Sequence, residues 1–388
     1  MSKMGRTIVY LGSATTGHKN NTPDTSAPLI ELWQQMGHTV HFASNFGQPI
    51  FRFIHQLWTL ITQARKNPIV VIDTYSTRSF YGAMLLSRVC LLLGLKYIPI
   101  LHGGLLPKRL TSKVGFIRTY FAKASLPVAP STYLARYAQQ QDWPVAIIPN
   151  GLNLTDYPFT SRMTRPSRSA PMSDNTSATT PDNKPQSPPH KAQHKITPKI
   201  FWLRAFDPIY RPELALEIFK ALSVQFPQAE LYMVGPDKGG RMAACKNYAA
   251  RNQLKVHFPG KLSKSAWKNL ALDCSIFLNT SSIDNAPVSV SEAMALGLVV
   301  VSANVGGMAD LLDHGRAGFL IDGPIATEDR SANQSHALAF VTIITDLLEG
   351  RINADPQITR ARTLAEQQDW GVVNDLWGQI FNQHQTEI

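Results

Sequence analysis

Short apolar runs and longer stretches at helical spacing alternate along most of this chain. Residues 7–12 read as a buried strand, followed by a loop of Gly, Ser, Thr and Asn. Ser26 then caps a predicted helix that carries Leu29, Ile30, Trp33 and Met36 at helical spacing and closes at Gly37. The alternation continues through a strand at 39–43, a helical pattern over 51–65, a strand at 69–72, a helix over 80–93 and a strand at 97–101. After a break the pattern restarts with a strand at 200–203 and a helix over 212–226, whose Ala215, Ile218, Phe219 and Leu222 face inward. Strands follow at 230–234, 256–258, 275–278 and 298–301, and Trp370, Val373, Leu376, Trp377 and Phe381 form a last helical stripe over 369–383. Strands that alternate with helices predict an α/β chain of doubly wound parallel sheets covered on both faces. Ligands in such sheets bind beyond the carboxyl ends of the strands.

The break itself is compositional. From 160 to 197 the chain turns to Ser, Thr, Pro, Asn and Lys with only two Met among large apolar residues, which predicts a disordered linker or insertion. It divides the 388 residues into an N-terminal domain over 1–159 and a second domain over 198–368, with 369–388 as a terminal helix. No apolar run reaches the ~18–20 residues of a membrane-spanning helix, and the run at 8–11 is too short for a signal-peptide core, so a cytoplasmic protein is expected. Cys90, Cys245 and Cys274 have neither metal nor redox spacing and are expected to be reduced core residues.

Charge separates the halves more sharply than the net +11 suggests. Residues 1–160 hold 15 Lys/Arg against 5 Asp/Glu, 161–199 hold 7 against 2, and 200–388 hold 16 against 20. Attraction to a polyanion therefore belongs to the N-terminal half. No nucleic-acid-binding pattern accompanies it, so nucleic acid is not expected as a partner. An anionic membrane surface or a phosphate-bearing acceptor fits better.

The most informative stretch is 284–307, which sets Asp284 and Glu292 eight positions apart across the start of a helix. Pro287 suits a first helical turn, and Gly297 can supply the left-handed residue that ends it. The unpaired N–H groups at such a helix start attract a phosphate or diphosphate. Carboxylates beside them accept hydrogen bonds from hydroxyls, and a ligand with hydroxyls on both sides of a diphosphate is a nucleotide sugar. A solvated helix carboxylate and an unrelated loop Asp remain the plain alternative.

In this setting the stretch resembles the donor-site signature of the family 4 retaining glycosyltransferases (group 1 glycosyltransferases), and the two doubly wound domains resemble the GT-B fold. Four shorter matches occur in the family's order: His102-Gly103-Gly104 after a strand, Ile148-Pro149-Asn150-Gly151 at the domain crossover, Leu203-Arg204, and Met233-Val234-Gly235-Pro236. The resemblance implies two domains facing each other across a cleft, with the C-terminal helix crossing back to the first. It also implies a role for each residue of the signature. Arg204 would meet the diphosphate, aided by the N–H groups of Val288 and Ser289. Glu292 would hold the ribose hydroxyls and Asp284 the sugar hydroxyls. His102 would stabilise positive charge near the transferring sugar, and Gly306 and Gly307 would permit close backbone approach. Gly12 and Gly17 would approach the donor phosphate or else serve as turn glycines, with His18 and Lys19 as weaker candidates in the same loop. Two departures stand out: Asp284 occupies a position where the family has Glu, and the usual Lys after the Arg is absent, leaving Arg211 as the nearest cation.

The implied reaction is retaining transfer from a UDP- or GDP-sugar to a cell-surface glycan or lipid-linked acceptor, with no protein nucleophile, no cofactor and no metal. An epimerase on the same fold, or a silent nucleotide-sugar-binding scaffold, are the other readings. Lys108, Arg109, Lys113, Arg118 and Lys123, interleaved with Leu105, Leu106, Leu110, Val114, Phe116, Ile117, Tyr120 and Phe121, read as a basic amphipathic segment. It would dock the protein peripherally on the inner face of the cell membrane, with Phe46, Phe51, Phe53 and Trp58 as an added apolar edge or as core.

Overall fold

The computed structural model describes residues 5–12, 26–43, 46, 48–110, 115–160, 197–324 and 330–383. Two six-stranded, wholly parallel sheets organise them. The first contains β1 (Thr7–Leu11), β2 (Thr39–Ala43), β3 (Ile69–Tyr75), β4 (Tyr97–His102), β5 (Val128–Ala129) and β6 (Ala146–Ile147), in the order β2-β1-β3-β4-β5-β6. The second contains β7 (Lys199–Leu203), β8 (Glu230–Val234), β9 (Val256–Gly260), β10 (Ile276–Asn279), β11 (Val299–Ala303) and β12 (Phe319–Ile321), in the order β12-β11-β10-β7-β8-β9. Each sheet reverses its winding beside its first strand, between β1 and β3 and between β7 and β10. At those points the loops leave in opposite directions and open a crevice beyond the carboxyl ends.

Alternation along β1 shows how the first sheet is filled. Val9 and Leu11 join one apolar cluster with Val70, Ile72, Phe80 and Met84, while Ile8 and Tyr10 point to a second with Val71, Ile98 and Trp33. The helix Trp370–Gln383 closes this second face, with Trp377 5.0 Å and Phe381 5.7 Å from the Trp33 ring. The last helix of the chain thus completes the core of the first sheet. The chain passes between the halves twice, side by side. Leu152 N–H donates to Gln368 O at 2.7 Å and Trp370 N–H to Leu152 O at 3.0 Å, and a Cβ on Gly151 would lie 2.5 Å from the Trp370 ring.

The basic segment after His102 is not an exposed amphipathic helix. It forms two short helices, Leu106–Leu110 and Gly115–Ala122, and Leu106, Leu110, Ile117, Tyr120 and Phe121 are buried in the first sheet's core. Five large apolar residues in a short stretch lower the free energy most by joining that core, which leaves Lys108, Arg118 and Lys123 on the solvent side. Lys113 and Val114 lie outside the described residues, as do Gly17, His18, Lys19 and residues 161–196 of the linker predicted over 160–197.

Candidate active site

The crevice of the second sheet brings Arg204 and Asp284 together. Arg204 follows β7 and Asp284 follows β10, so neighbouring parallel strands deliver them to the same edge. Arg204 Nη2 donates to Asp284 Oδ2 at 2.7 Å and reaches Asn279 Oδ1 at 3.4 Å, and its guanidinium lies 5.3 Å from the Tyr210 ring centroid. The loop carrying Tyr210 is fastened to the same edge, with Thr280 Oγ1 on Tyr210 O at 2.8 Å and Ser282 N–H on Ile209 O at 2.8 Å. Arg204 Nε is buried and has no partner among the described residues.

Beside this pair starts the helix Val288–Leu296. Pro287 caps it in extended conformation, just outside the first turn, and no side chain caps its N–H groups. Among the described residues the N–H groups of Val288 and Ser289 find no acceptor, and Ser289 Oγ is buried without a partner. Gly297, at φ +80°, ends the helix in the left-handed conformation. A guanidinium N–H, two backbone N–H groups and a hydroxyl left unsaturated together form an anion-binding arrangement.

Glu292 lies further along the helix and is buried. Its Oε1 accepts from Tyr157 OH at 2.7 Å and faces Lys264 Nζ at 3.4 Å. Burial pushes its carboxyl upward, against the pull of the Tyr157 hydroxyl and Lys264. The Tyr157 ring sits between Lys264 and Lys268, with their ammonium nitrogens 5.3 and 5.2 Å from its centroid, and burial followed by the Glu292 charge raises its phenol.

The first sheet presents its own crevice. His102 ends β4, stacks on Tyr75 with ring centroids 4.5 Å apart, and places Nε2 2.9 Å from Asp73 Oδ1. Asp73 is buried on β3 and also accepts from Tyr10 OH at 3.0 Å, while its Oδ2 has no partner among the described residues. Gly12 lies against that oxygen: a Cβ there would stand 3.1 Å from Asp73 Oδ2, and its carbonyl accepts from Gln56 Nε2 at 2.6 Å. Gly12 is therefore a close neighbour of the Asp73 carboxylate that pairs with His102.

The two crevices meet at the loop over 283–286. A Cβ on Gly104 would come within 2.9 Å of Ile283 and 3.1 Å of the Asp284 carbonyl carbon, so the His102-Gly103-Gly104 turn touches Asp284 through bare backbone. Ser131 Oγ donates to Asn285 Oδ1, and Asn150 Nδ2 donates to Ala286 O at 2.9 Å. Gly306 and Gly307 do allow close approach, but to this loop. Gly306 has φ +56° and a Cβ on it would overlap the Asp284 carbonyl oxygen, while Gly307 N–H donates to that oxygen at 3.0 Å. Their lack of side chains holds Asp284 in place, a role that spacing could not separate from ligand contact.

Arg211 does not join the group. It caps the helix Pro212–Gln225 at φ +49° and its guanidinium is buried, donating to Pro324 O at 3.2 Å and Asn333 Oδ1 at 2.7 Å, with His336 Nδ1 at 3.3 Å. These three contacts tie it to the segment after β12, whereas Arg204 pairs with Asp284. Asp73 and Tyr157 were missed by sequence reasoning. Asp73 carried a signal, since a carboxylate inside the apolar run Ile69–Tyr75 needs a partner; Tyr157 carried none.

With the geometry in place, residues 184–335 match the family of glycosyl transferases group 1. No curated protein matches the chain in sequence. Sucrose-phosphate synthase from Thermosynechococcus elongatus is similar in structure, with TM-score 0.69 at 14% identity over 99% of this chain and 100% of that one. Alr3699/HepE from Anabaena, solved in complex with UDP, gives 0.63 at 17% identity over 97% and 100%. The apo form of the lipopolysaccharide outer core galactosyltransferase WaaB gives 0.62 at 13% identity over 97% and 99%. The fold is GT-B, and the second sheet with its crevice carries the group 1 glycosyltransferase region.

Proposed function

We propose that this glycosyltransferase moves a sugar, with retention of configuration and without a metal, from a UDP- or GDP-sugar to a cell-surface glycan or lipid-linked acceptor at a membrane face. One observation carries the reading: buried groups left without partners flank the cleft in complementary sets. Donors collect on the second sheet at Arg204 Nε, Ser289 Oγ and the start of the helix Val288–Leu296, and an acceptor waits on the first sheet at Asp73 Oδ2.

Negative charge builds on a departing nucleotide diphosphate, and fixed donors in a water-poor cleft are worth about 3–4 kcal/mol each in such a place. Arg204 and the helix start supply that charge complement. Asp284 holds the guanidinium through Oδ2 and turns Oδ1 toward the loop backbone, where sugar hydroxyls can reach it. Glu292, deeper on the same helix, takes the ribose hydroxyls. His102, held by Asp73, stands across the cleft, where its ring and carbonyl oppose the positive charge of an oxocarbenium-like state. The acceptor proton leaves on the diphosphate oxygen on the same face, so the new glycosidic bond forms as the old one breaks and no protein carboxylate is alkylated. Loop contacts between the sheets exclude water that would hydrolyse the donor.

The test is turnover with labelled UDP- and GDP-sugars in the presence of membrane extract. Nucleotide release with label entering the lipid or glycan fraction supports transfer. Interconversion of free donor, or binding with neither outcome, overturns it in favour of an epimerase or a silent binder.

A further inference from the structure

While the apolar side chains of the basic segment after His102 join the core, another element of the first domain is left exposed. The helix Pro49–Gln63 buries Gln56 and Leu60 but presents Ile50, Phe51, Ile54, Trp58 and Ile61 at 51–66% exposure. At ~100° per residue these five positions fall within about a quarter-turn to a third of the helix circumference, a single stripe opposite the core. The neighbouring helix Ser79–Leu92 lies against it, since a Cβ on Gly82 would be 3.8 Å from the Phe53 ring, and adds Tyr81, Leu85 and Leu92, the last 86% exposed. Together they form a contiguous exposed apolar face of two helices, which monomeric proteins rarely leave without a partner.

The surrounding charge says which partner. Residues 32–141 hold twelve Lys/Arg and a single acidic residue, Asp73, and that one is buried. Arg52, Arg65, Lys66, Arg78 and Arg88 lie on or beside the two helices. A second copy of this chain would bring the same cations against themselves across a two-fold axis, which like-charge repulsion opposes. An anionic lipid surface accepts both features: apolar side chains enter the acyl boundary, Trp58 sits at the headgroup level, and the cations meet lipid phosphates. No helix among the described residues is long and apolar enough to cross a membrane, so the contact is one of lying on the surface.

We propose that the exposed face of helices Pro49–Gln63 and Ser79–Leu92 docks the protein onto an anionic lipid bilayer. The helices begin beyond the carboxyl ends of β2 and β3, at the cleft end of the sheet, and Gln56 is hydrogen-bonded to Gly12 beside Asp73 and His102. Docking by this face sets the cleft mouth next to the bilayer. The inference gives a surface to the membrane acceptor of the proposed function and rests on that reading for its purpose. Its test uses neither donor nor turnover, so docking and transfer fail separately.

The full chain is floated with vesicles of 30% phosphatidylglycerol in phosphatidylcholine and with pure phosphatidylcholine. Binding to the anionic vesicles is expected to be at least tenfold tighter and to weaken as salt rises. Phe51→Asp with Trp58→Asp should lower it tenfold or more while the far-UV circular dichroism spectrum and thermal midpoint of the parent chain are kept, which verifies the fold. Should that variant fail to fold, Ile54→Cys carrying an environment-sensitive dye serves instead, since Cys90, Cys245 and Cys274 are buried and spared from labelling. Its emission should rise and shift to the blue on anionic vesicles. Undiminished binding by the aspartate variant, no dye response, or a tight solution dimer that Trp58→Asp dissolves would each overturn the proposal.

Discussion

Tyr157→Phe isolates one interaction at the Glu292 end of the cleft. The change removes a single oxygen and leaves the ring between Lys264 and Lys268, so packing and the cation–ring contacts survive. What is lost is a 2.7 Å hydrogen bond to a buried carboxylate. With Glu292 ionised, a bond to a charged group is worth about 1.5–3 kcal/mol; with Glu292 protonated, the neutral bond is worth about 0.5–1.5 kcal/mol. Lys264, half exposed at 3.4 Å, is too well screened to replace it.

The two values give the substitution a pH dependence. Burial holds the Glu292 carboxyl above its ordinary range, and the Tyr157 hydroxyl opposes that rise, so its loss drives the carboxyl higher still. A carboxyl raised on folding contributes stability that is complete below its unfolded pKa and disappears as pH climbs through the folded one. The deficit of Tyr157→Phe relative to the parent chain should therefore grow by roughly 1 kcal/mol across that window. Paired denaturant titrations of both proteins, stepped across the pH range in which the parent chain stays folded and at fixed salt, measure it, and comparing the pair at each pH cancels every other titrating group. A deficit that shrinks as pH rises would show that the Tyr157 hydroxyl does not support an ionised Glu292.

Three further substitutions probe the rest of the site. Arg204→Ala should lower turnover at saturating donor by about 100-fold or more, and a near-normal rate in steady-state assays would remove Arg204 from the diphosphate. Asp73→Asn preserves shape but not the charge that orients His102, and a loss on the order of 10–100-fold in kcat with little change in donor KM is expected; a change in KM alone would assign Asp73 to donor binding. Gly306→Ala places a Cβ at φ +56° where the Asp284 carbonyl oxygen already lies, so it should cost at least ~1–2 kcal/mol from backbone strain alone. A thermal midpoint equal to that of the parent chain would mean that the 284–286 loop relaxes freely.

The fold was largely legible because period and punctuation are local. Runs such as Ile69–Tyr75, with helices between, imply parallel strands whatever their partners, and Gly297 ends its helix as its position suggested. The two-residue strands β5 and β6 left no such trace, since their pairing depends on β4 already being in place. Arg204 and Asp284 could be brought together because both lie just beyond the carboxyl ends of neighbouring strands of one sheet, Arg204 directly after β7 and Asp284 in the loop after β10. Arg211 could not be assigned that way, because the fate of its guanidinium depends on the segment after β12, more than a hundred residues away. The basic segment after His102 failed for a related reason: periodicity shows that a helix has an apolar face but not whether that face meets the core or the solvent. Helix Pro49–Gln63, apolar on more than one side, holds both answers at once, with Leu60 inward and Trp58 outward.

Neither sheet holds a complete site, and the way they meet follows from the same topology. A parallel sheet offers its loops at one edge, and two such sheets facing edge to edge can share a ligand only if the loops touch without filling the space between them. Here the loop over 283–286 is met through backbone and short polar side chains, by Gly104 on Ile283 and Asp284, Ser131 on Asn285, and Asn150 on Ala286, and beside it Arg136 pairs with Asp310 at 3.1 Å. The loop over 283–286 carries Arg204's ion-pair partner Asp284 and leads into the uncapped start of the helix Val288–Leu296. Separating the sheets would therefore release the segment that joins the Arg204–Asp284 pair to the uncapped helix start. On the proposed function, this shared loop would couple donor binding in the second half to the side of the cleft where an acceptor would arrive.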